Sequence, residues 1–237
     1  MERDWAGELD GWLQEKYAEL CETIGHPVSL SGVRIHPSLG VEESKYFLLG
    51  IEAGLFFPDE LGYVQSELLP PADSAQARPK TCRLFWHAPP PPRLSRECVC
   101  QLATASFLIL KRGWLTSHIV IEPDLNDAGD TSYGIDLMIR LRPGHILAGV
   151  EVKRSTVELQ KLITDLRMCC KRGPHARDDC GFPQNHPKYE FCAHYQPEYF
   201  WAVAPETDVC FRMHYAVRAI ELEELPSLPP RSLLESP

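Results

Sequence analysis

The stretch YGIDLMIRL at residues 133–141, followed by ILAGVEVKRS at residues 146–155, decides the fold of this chain. In both stretches apolar side chains alternate with polar ones, which is the pattern of a strand with one face in a core. The alternating apolar positions are Ile135, Leu137, Ile139, Val150 and Val152. Asp136, Glu151 and Lys153 have the opposite parity, so we predict two strands that carry ionised side chains on their other face.

The two acidic positions predict a cation site. Ionised groups seldom interrupt a buried strand without a partner. If residues 142–145 form the turn of a hairpin, Asp136 and Glu151 converge, and their oxygens suit a hard cation such as Mg²⁺ or Mn²⁺. Such a cation polarises a phosphodiester, and Lys153 beside it orients the nucleophile or offsets charge in the transition state. The alternative is a solvated face on which Glu151 and Lys153 form an ordinary ion pair.

The segments around this pair predict an α/β fold. Apolar residues recur at helical spacing over residues 96–110 and again over residues 157–168, and short apolar runs at residues 118–122 and 199–203 predict strands. Together with the central pair, the order is helix, three strands, helix, strand. We therefore expect a mixed central sheet flanked by helices, in the order α-β-β-β-α-β, with an extra N-terminal α+β region.

Five short blocks follow one another along this part of the chain. They are GIDL at residues 134–137, VEVKRS at 150–155, DLR at 165–167, KYEFC at 188–192 and YFWAVAPE at 199–206. With Asp136 and the Glu151-x-Lys153 spacing, they resemble the PD-(D/E)XK nuclease superfamily. They are most similar to its MmcB family, whose members are assigned as DNA-repair endonucleases. Ile135 stands where the superfamily pattern has a proline.

The resemblance implies a restriction-endonuclease-like core and a divalent-metal-dependent endonuclease that hydrolyses DNA, in repair, restriction or mobile-element defence. It implies Asp136 and Glu151 as metal ligands, Lys153 as the catalytic lysine, and Mg²⁺ or Mn²⁺ as the cofactor. Glu97 and Glu122 are the candidates for a further carboxylate ligand. Because the superfamily also contains domains that have lost activity, the alternative is a binding or scaffold protein built on the nuclease fold.

A segment rich in Cys, His, Pro and Gly is inserted at residues 171–186, before the KYEFC block. The candidate zinc ligands in and around it are Cys169, Cys170, His175, Cys180, His186 and Cys192. A structural Zn²⁺ would let a short segment with little apolar content fold as a zinc-organised interaction module. The chain has no Cys-x-x-Cys pair, so buried thiols are the alternative. The odd total of nine cysteines favours reduced thiols over a disulfide framework.

The charge distribution bears on the substrate. The chain has a formal net charge of −9, but residues 93–203 hold 14 Lys and Arg against 13 Asp and Glu, whereas residues 1–92 hold 7 against 14. We predict that Arg154, Lys161 and Arg167 contact DNA phosphates. Because this basic footprint is small, we expect weak, salt-sensitive binding and a protein partner that delivers the substrate.

Proline-rich stretches divide the chain into regions. We predict an N-terminal region at residues 1–92, with a linker at about residues 68–92. A nuclease-like domain follows at residues 93–215, and a partly disordered C-terminal extension at residues 216–237.

The N-terminal region carries a predicted amphipathic helix that starts near Trp5 and ends at Gly25, followed by a predicted strand at residues 46–51. This region is the candidate surface for a protein partner or for self-association. No run of about eighteen apolar residues occurs, and the start of the chain is acidic. We therefore expect a cytoplasmic protein without a membrane anchor.

Overall fold

The computed structural model describes residues 3–29, 33, 40–69, 82–87, 90–122, 134–142 and 145–234. Most of the predicted linker, at residues 70–81 and 88–89, lies outside the described residues. The helices are α1 (Trp5–Thr23), α2 (Val41–Glu52), α3 (Arg96–Leu110), α4 (Thr156–Arg172), α5 (His186–Tyr195) and α6 (Arg231–Leu234). None of these helices in the described residues is long and apolar enough to cross a membrane.

Ten strands accompany these helices in the described residues. They are β1 (Phe57–Pro58), β2 (Val64–Gln65), β3 (Phe85–Trp86), β4 (Arg93–Leu94), β5 (Ile119–Ile121), β6 (Leu137–Arg142), β7 (His145–Val152), β8 (Tyr199–Ala204), β9 (Thr207–Tyr215) and β10 (Ile220–Leu225). The first four form two small sheets, β1–β2 and β3–β4, and the other six form one large sheet.

The strands of the large sheet lie in the order β5-β6-β7-β8-β9-β10. β7 and β8 are parallel, and every other neighbouring pair is antiparallel. A parallel pair requires a long crossover, which α4 and α5 supply. The predicted mixed sheet flanked by helices is therefore confirmed. The order of α3, β5, β6, β7, α4 and β8 is also as predicted, and α5 is an additional helix before β8.

Each face of the sheet has its own hydrophobic core, as the alternation along β8 shows. Tyr199 and Trp201 belong to a larger core with α1, α2 and α3, whereas Phe200 and Ala202 belong to a smaller core with α4 and α5. Successive side chains in a strand point to opposite faces, so the sheet separates the two cores. Burying one such aromatic side chain contributes about 1.5–3 kcal/mol, and both cores therefore stabilise the sheet.

The N-terminal region contains the predicted first helix, which is followed by Gly25 in a left-handed conformation with φ of 66°. The prediction of a strand at residues 46–51 is wrong, because these residues lie in α2. That helix begins after Gly40 and has Glu42 and Glu43 in its first turn, where carboxylates favour a helix. An apolar run of this length fits a buried helix as well as a buried strand.

α2 approaches α3 closely at Gly50. A Cβ atom at this position would lie 2.6 Å from Cε1 of Phe56 and would overlap the hydroxyl of Ser106 in α3. Phe47 of α2 is fully buried in the same core as Val99 of α3. The N-terminal region and the large sheet thus share one hydrophobic core.

The chain continues the sheet beyond the last strand that the sequence predicted. β9 and β10 are antiparallel, and β10 is the edge strand, with Glu221, Glu223 and Glu224 exposed. Leu228 belongs to the extension that the sequence predicted to be partly disordered, but it is buried in the larger core. The C-terminal extension therefore contributes both a strand and a core residue.

Cys82 and Cys98 form a disulfide, with their Cα atoms 6.1 Å apart. The bond joins the chain before β3 to the first turn of α3. The other seven cysteines are free, so the expectation of reduced thiols fits those seven and is wrong for this pair.

Candidate active site

The two strands predicted to carry the site are hydrogen-bonded neighbours. Leu137 of β6 pairs with Val150 of β7, and the same register continued by one residue sets Asp136 opposite Glu151. Residues directly opposite in an antiparallel pair point to the same face, with Cβ atoms about 5 Å apart. The two predicted metal ligands therefore lie together at one end of the hairpin.

A third carboxylate, from Glu122, lies next to Asp136. β5 pairs with β6 through Ile121 and Leu137, and the backbone nitrogen of Glu122 donates to the carbonyl oxygen of Asp136 at 2.8 Å. Gln101, which is buried in α3, donates its side-chain nitrogen to Oδ1 of Asp136 at 2.7 Å and to Oε1 of Glu122 at 2.9 Å. One amide group thus joins two carboxylates.

Asp136 is 8% exposed, and its Oδ2 accepts a hydrogen bond of 2.6 Å from the backbone nitrogen of Val152. Burial and the neighbouring Glu151 raise the pKa of Asp136 well above its ordinary value, although Lys153 and the Val152 amide act in the opposite direction. Burial is the largest cause, so the folded protein disfavours the charged form of Asp136.

Glu151 is the most deeply buried carboxylate of the site, with 1% of its surface exposed. Its Oε1 forms ion pairs with Lys153 and with Lys188 of α5, whose ammonium lies 3.3 Å away. Lys188 also donates to the carbonyl oxygen of Gly134 at 2.6 Å. Oε2 of Glu151 is buried and has no hydrogen-bond partner within the described ranges. A buried carboxylate oxygen without a partner is a position that a cation would fit.

Lys153 is held by carboxylates. It pairs with Glu151, and its ammonium lies 3.9 Å from Oε1 of Glu97, a half-exposed residue in the first turn of α3. Burial lowers the pKa of Lys153, but the charges of Glu151 and Asp136 outweigh burial and raise it above the ordinary value. Lys153 therefore stays protonated and supplies a fixed positive charge.

Gln101 and Lys188 belong to the site although neither was predicted to do so. Gln101 is a polar residue among apolar positions of α3, and a buried amide needs partners, which is the signal that could have found it. Lys188 opens the KYEFC block, but no local pattern indicates that its side chain reaches Glu151.

A groove lies beside the site, where β3 and β4 meet the first turns of α3 and α4. It is lined by Trp86, Arg93, Leu94, Ser95, Arg96, Glu97, Arg154 and Ser155. Ser95 and Ser155 cap α3 and α4 by accepting hydrogen bonds from backbone nitrogens of the first turns. Two helix N-termini and the exposed Arg93 and Arg154 therefore give this groove positive potential.

Only one of the three residues predicted to contact phosphates lines this groove, and that residue is Arg154. Lys161 pairs instead with Asp165 at 2.5 Å, and Arg167 pairs with Glu224 of β10. Both residues lie farther along α4, and Arg154 is likewise paired with an acidic neighbour, Glu158, at 2.7 Å. The basic surface near the site is thus built from residues around β4 and the start of α4.

Four of the six candidate zinc ligands converge between α4 and α5. Donor atoms of Cys169, His175, Cys180 and His186 all lie within 4.8 Å of one another. Contrary to the prediction, Cys170 and Cys192 are outside this group and are buried in the smaller core. Adjacent residues of a helix point about 100° apart, so Cys169 and Cys170 cannot both face one site.

Comparisons of the chain with protein-family models, with curated proteins and with solved structures find no match.

Proposed function

We propose that the protein is a divalent-metal-dependent endonuclease that hydrolyses phosphodiester bonds of DNA. Asp136, Glu151 and Lys153 form its catalytic site. The observation that carries the proposal is the placement of two buried carboxylates, Asp136 and Glu151, opposite each other on neighbouring strands, with Lys153 paired to one of them. The order of α3, β5, β6, β7, α4 and β8 agrees with the restriction-endonuclease-like core that the resemblance to the MmcB family implies.

The residues of the site fit a hard divalent cation. Two carboxylates buried side by side are costly unless positive charge compensates them. Burial and Glu151 raise the pKa of Asp136, and Oε2 of Glu151 has no hydrogen-bond partner among the described residues, so a further positive charge would stabilise the pair. Asp136 and Glu151 would hold Mg²⁺ or Mn²⁺, the cations that oxygen ligands of this kind prefer.

Of the two candidates for a further ligand, Glu122 is the better placed. The amide of Gln101 joins it to Asp136, so the two carboxylates are held together. Glu97 instead lies beside Lys153 at the groove and is half exposed. We assign Glu97 to positioning Lys153.

The chemistry follows from these positions. A bound divalent cation polarises the scissile phosphodiester and lowers the pKa of a bound water. Lys153, which its carboxylate neighbours keep protonated, offsets the negative charge that develops on the phosphate. Gln101 and the backbone nitrogen of Val152 fix the carboxylate of Asp136, so the ligand is oriented before the cation arrives.

The groove beside the site offers a path for a DNA strand. Arg93 and Arg154 would contact phosphates, and Trp86, which is 50% exposed, offers a ring face on which a base can stack. Glu97 and the net charge of −9 oppose tight binding. We therefore expect salt-sensitive binding and a protein partner or second copy, held by the N-terminal region, that helps to deliver the substrate. The setting would be cytoplasmic DNA repair, restriction or mobile-element defence.

A second candidate function is a binding or scaffold protein with the same fold. Lys153 and Lys188 both pair with Glu151, which is the arrangement of a structural ion-pair network. Under this alternative, removing the charge of Glu151 would lower stability, and there would be no cleavage activity to lose.

Cleavage of supercoiled, linear and single-stranded DNA tests the proposal, with Mg²⁺, Mn²⁺ or a chelator in parallel. Wild type is compared with Glu151→Gln, and Glu221→Gln on the exposed edge strand β10 is the matched control. We expect metal-dependent cutting by wild type and control, and a loss of at least about 100-fold in Glu151→Gln. No cutting by wild type with either metal would support the scaffold function, whereas cutting that persists in Glu151→Gln would show that the activity does not come from this site.

A further inference from the structure

The segment between α4 and α5 folds back so that four Cys and His side chains meet. Cys169 lies in the last turn of α4, His186 is the first residue of α5, and His175 and Cys180 lie in the connecting segment, on either side of a short helical turn at Arg177–Asp179. The sulfur atoms of Cys169 and Cys180 are 3.4 Å apart, and all four donor atoms lie within 4.8 Å of one another.

Two histidines present buried ring nitrogens without partners. His186 is 0% exposed, and neither of its ring nitrogens has a hydrogen-bond partner in the part of the chain that the structure describes. Its Nε2 lies 3.6 Å from Oε1 of Glu190, which is beyond hydrogen-bond distance. A buried imidazole in this condition costs about 1–3 kcal/mol unless another group satisfies it.

His175 is oriented as a metal ligand is. Its Nδ1 lies 2.6 Å from the carbonyl oxygen of Gly173, so Nδ1 carries the proton and Nε2 has the free electron pair. Nε2 is buried and has no hydrogen-bond partner within the residues described here. Metal-binding histidines almost always donate their other ring N–H to a carbonyl or carboxylate in this way.

The sulfur of Cys180 has a backbone donor. The amide nitrogen of Phe182, two residues later, donates to Sγ of Cys180 at 3.3 Å. A donor of this kind stabilises a thiolate, because a ligating sulfur carries negative charge that an N–H dipole can offset. The backbone beside Cys180 is therefore suited to a sulfur that binds a metal ion.

We propose that Cys169, His175, Cys180 and His186 bind one structural Zn²⁺ in a closed tetrahedral site. Two thiolates and two neutral imidazoles are a ligand set that zinc prefers, and both thiols release their protons on binding. Ligand atoms of tetrahedral zinc lie about 3.3–3.8 Å apart. The four donor atoms need to move by only a fraction of their present separation to reach this geometry.

The zinc site would fix α5 relative to α4. His186 is only two residues before Lys188, the residue that pairs with Glu151. A metal that holds the first turn of α5 therefore also holds the ammonium of Lys188 near the paired carboxylates. The zinc site does not depend on nuclease activity, because it would stabilise the connection between α4 and α5 in a scaffold protein equally well.

Metal analysis of the purified full chain tests the proposal. The protein is prepared with reductant, dialysed and assayed for bound zinc, and Cys180→Ala is compared with the matched control Cys170→Ala. We expect about one zinc per chain in wild type and in the control, and at least about a tenfold loss of zinc in Cys180→Ala. A folded wild-type protein with reduced thiols and no zinc would overturn the proposal, and so would equal losses in the two variants.

Two further measurements decide the question if Cys180→Ala fails to fold. His175→Gln removes a ligand that is only partly buried, and we expect it to lose zinc as Cys180→Ala does. Replacing zinc with Co²⁺ in wild type should produce a thiolate-to-cobalt absorption band and the visible bands of tetrahedral cobalt. Failure of the zinc-free, reduced protein to take up Co²⁺, or a disulfide between Cys169 and Cys180 in reductant, contradicts the zinc site.

Discussion

The carboxylate of Asp136 accepts a hydrogen bond of 2.6 Å from the backbone nitrogen of Val152, the residue between Glu151 and Lys153. This bond ties the start of β6 to the end of β7, so the acidic residue that precedes one strand is positioned by the backbone of the other. It favours the charged form of Asp136, whereas burial and Glu151 favour the neutral form and prevail. The charge of Asp136 therefore destabilises the fold.

Asp136→Asn is expected to raise the free energy of unfolding at neutral pH in the presence of chelator. The pKa of Asp136 is higher in the folded state than in the unfolded state, so the folded wild type binds the proton more tightly and loses stability as pH rises. The free energy of unfolding begins to fall near the pKa of Asp136 in the unfolded chain, about 3.9, and stops falling above its pKa in the folded protein. The total loss is about 1.4 kcal/mol for each pH unit between these two pKa values. Denaturant unfolding of wild type and Asp136→Asn, at several pH values between acidic and neutral, measures this loss.

Asp136→Ala serves as the comparison for that experiment. Alanine removes the charge but also removes the acceptor for the Val152 amide, so a buried donor loses its partner at a cost of about 1–3 kcal/mol. We expect Asp136→Asn to be more stable than Asp136→Ala at every pH. An Asn variant that is less stable than wild type across the whole range would show that the charge of Asp136 stabilises the fold.

Gln101→Glu is expected to increase the dependence of stability on divalent cations. The amide of Gln101 donates to both Asp136 and Glu122, and a glutamate in its place turns two hydrogen bonds into like-charge repulsion. Thermal unfolding with chelator should show a lower Tm than wild type, and Mn²⁺ should raise the Tm of the variant more than that of wild type. Gln101→Met, which removes the hydrogen bonds without adding charge, should lack the enlarged response to Mn²⁺.

Lys153→Met is expected to reduce DNA cleavage by about 10²–10³-fold while the protein remains folded. Lys188 continues to pair with Glu151 in this variant, at 3.3 Å, so the buried carboxylate keeps one cation. Lys188→Met should have a smaller effect on cleavage, because Lys153 lies closer to the groove. The double variant should lose about 3–5 kcal/mol of stability, since it leaves Glu151 buried and unpaired. If the effects of Lys153→Met and Lys188→Met on the free energy of unfolding simply add, the two lysines do not share Glu151 in this way.

Gly50→Ala is expected to destabilise the protein by about 1–3 kcal/mol, because the added methyl group meets Phe56 and Ser106 where α2 packs against α3. Gly11→Ala in α1 is the matched control. A Cβ atom at Gly11 meets nothing within 4 Å, so the higher helix propensity of alanine should stabilise by about 0.5–1 kcal/mol. Denaturant unfolding of both variants measures the contribution of the N-terminal region to the shared core.

The sequence predicts the elements of the sheet best where alternation is strict. β6 and β7 alternate because one face of each meets the larger core, and their hairpin sets Asp136 opposite Glu151. β10 was missed because Glu223 and Glu224 are consecutive, which breaks the alternation. The sequence predicts a strand in place of part of α2, because the conformation of this segment depends on packing against α3 and a local pattern does not contain that contact.

The site residues that were missed depend on how helices dock on the sheet. Gln101 reaches Asp136 from α3, and Lys188 reaches Glu151 from α5. Their positions are set by the rotation of each helix about its axis, which spacing along the chain does not determine. Helix rotation likewise decides that Cys169 joins the zinc cluster while the adjacent Cys170 enters the smaller core.

The exposed carboxylates of β10 have a consequence for the behaviour of the protein in concentrated solution. An edge strand can accept a strand from another molecule, which is the first step toward fibrils. Glu221, Glu223 and Glu224 would bring like charges together if two such edges paired, and the ion pairs of Glu223 with Arg212 and of Glu224 with Arg167 offset part of this repulsion. Salt screens exposed charges, so we expect aggregation of the folded chain to increase with ionic strength.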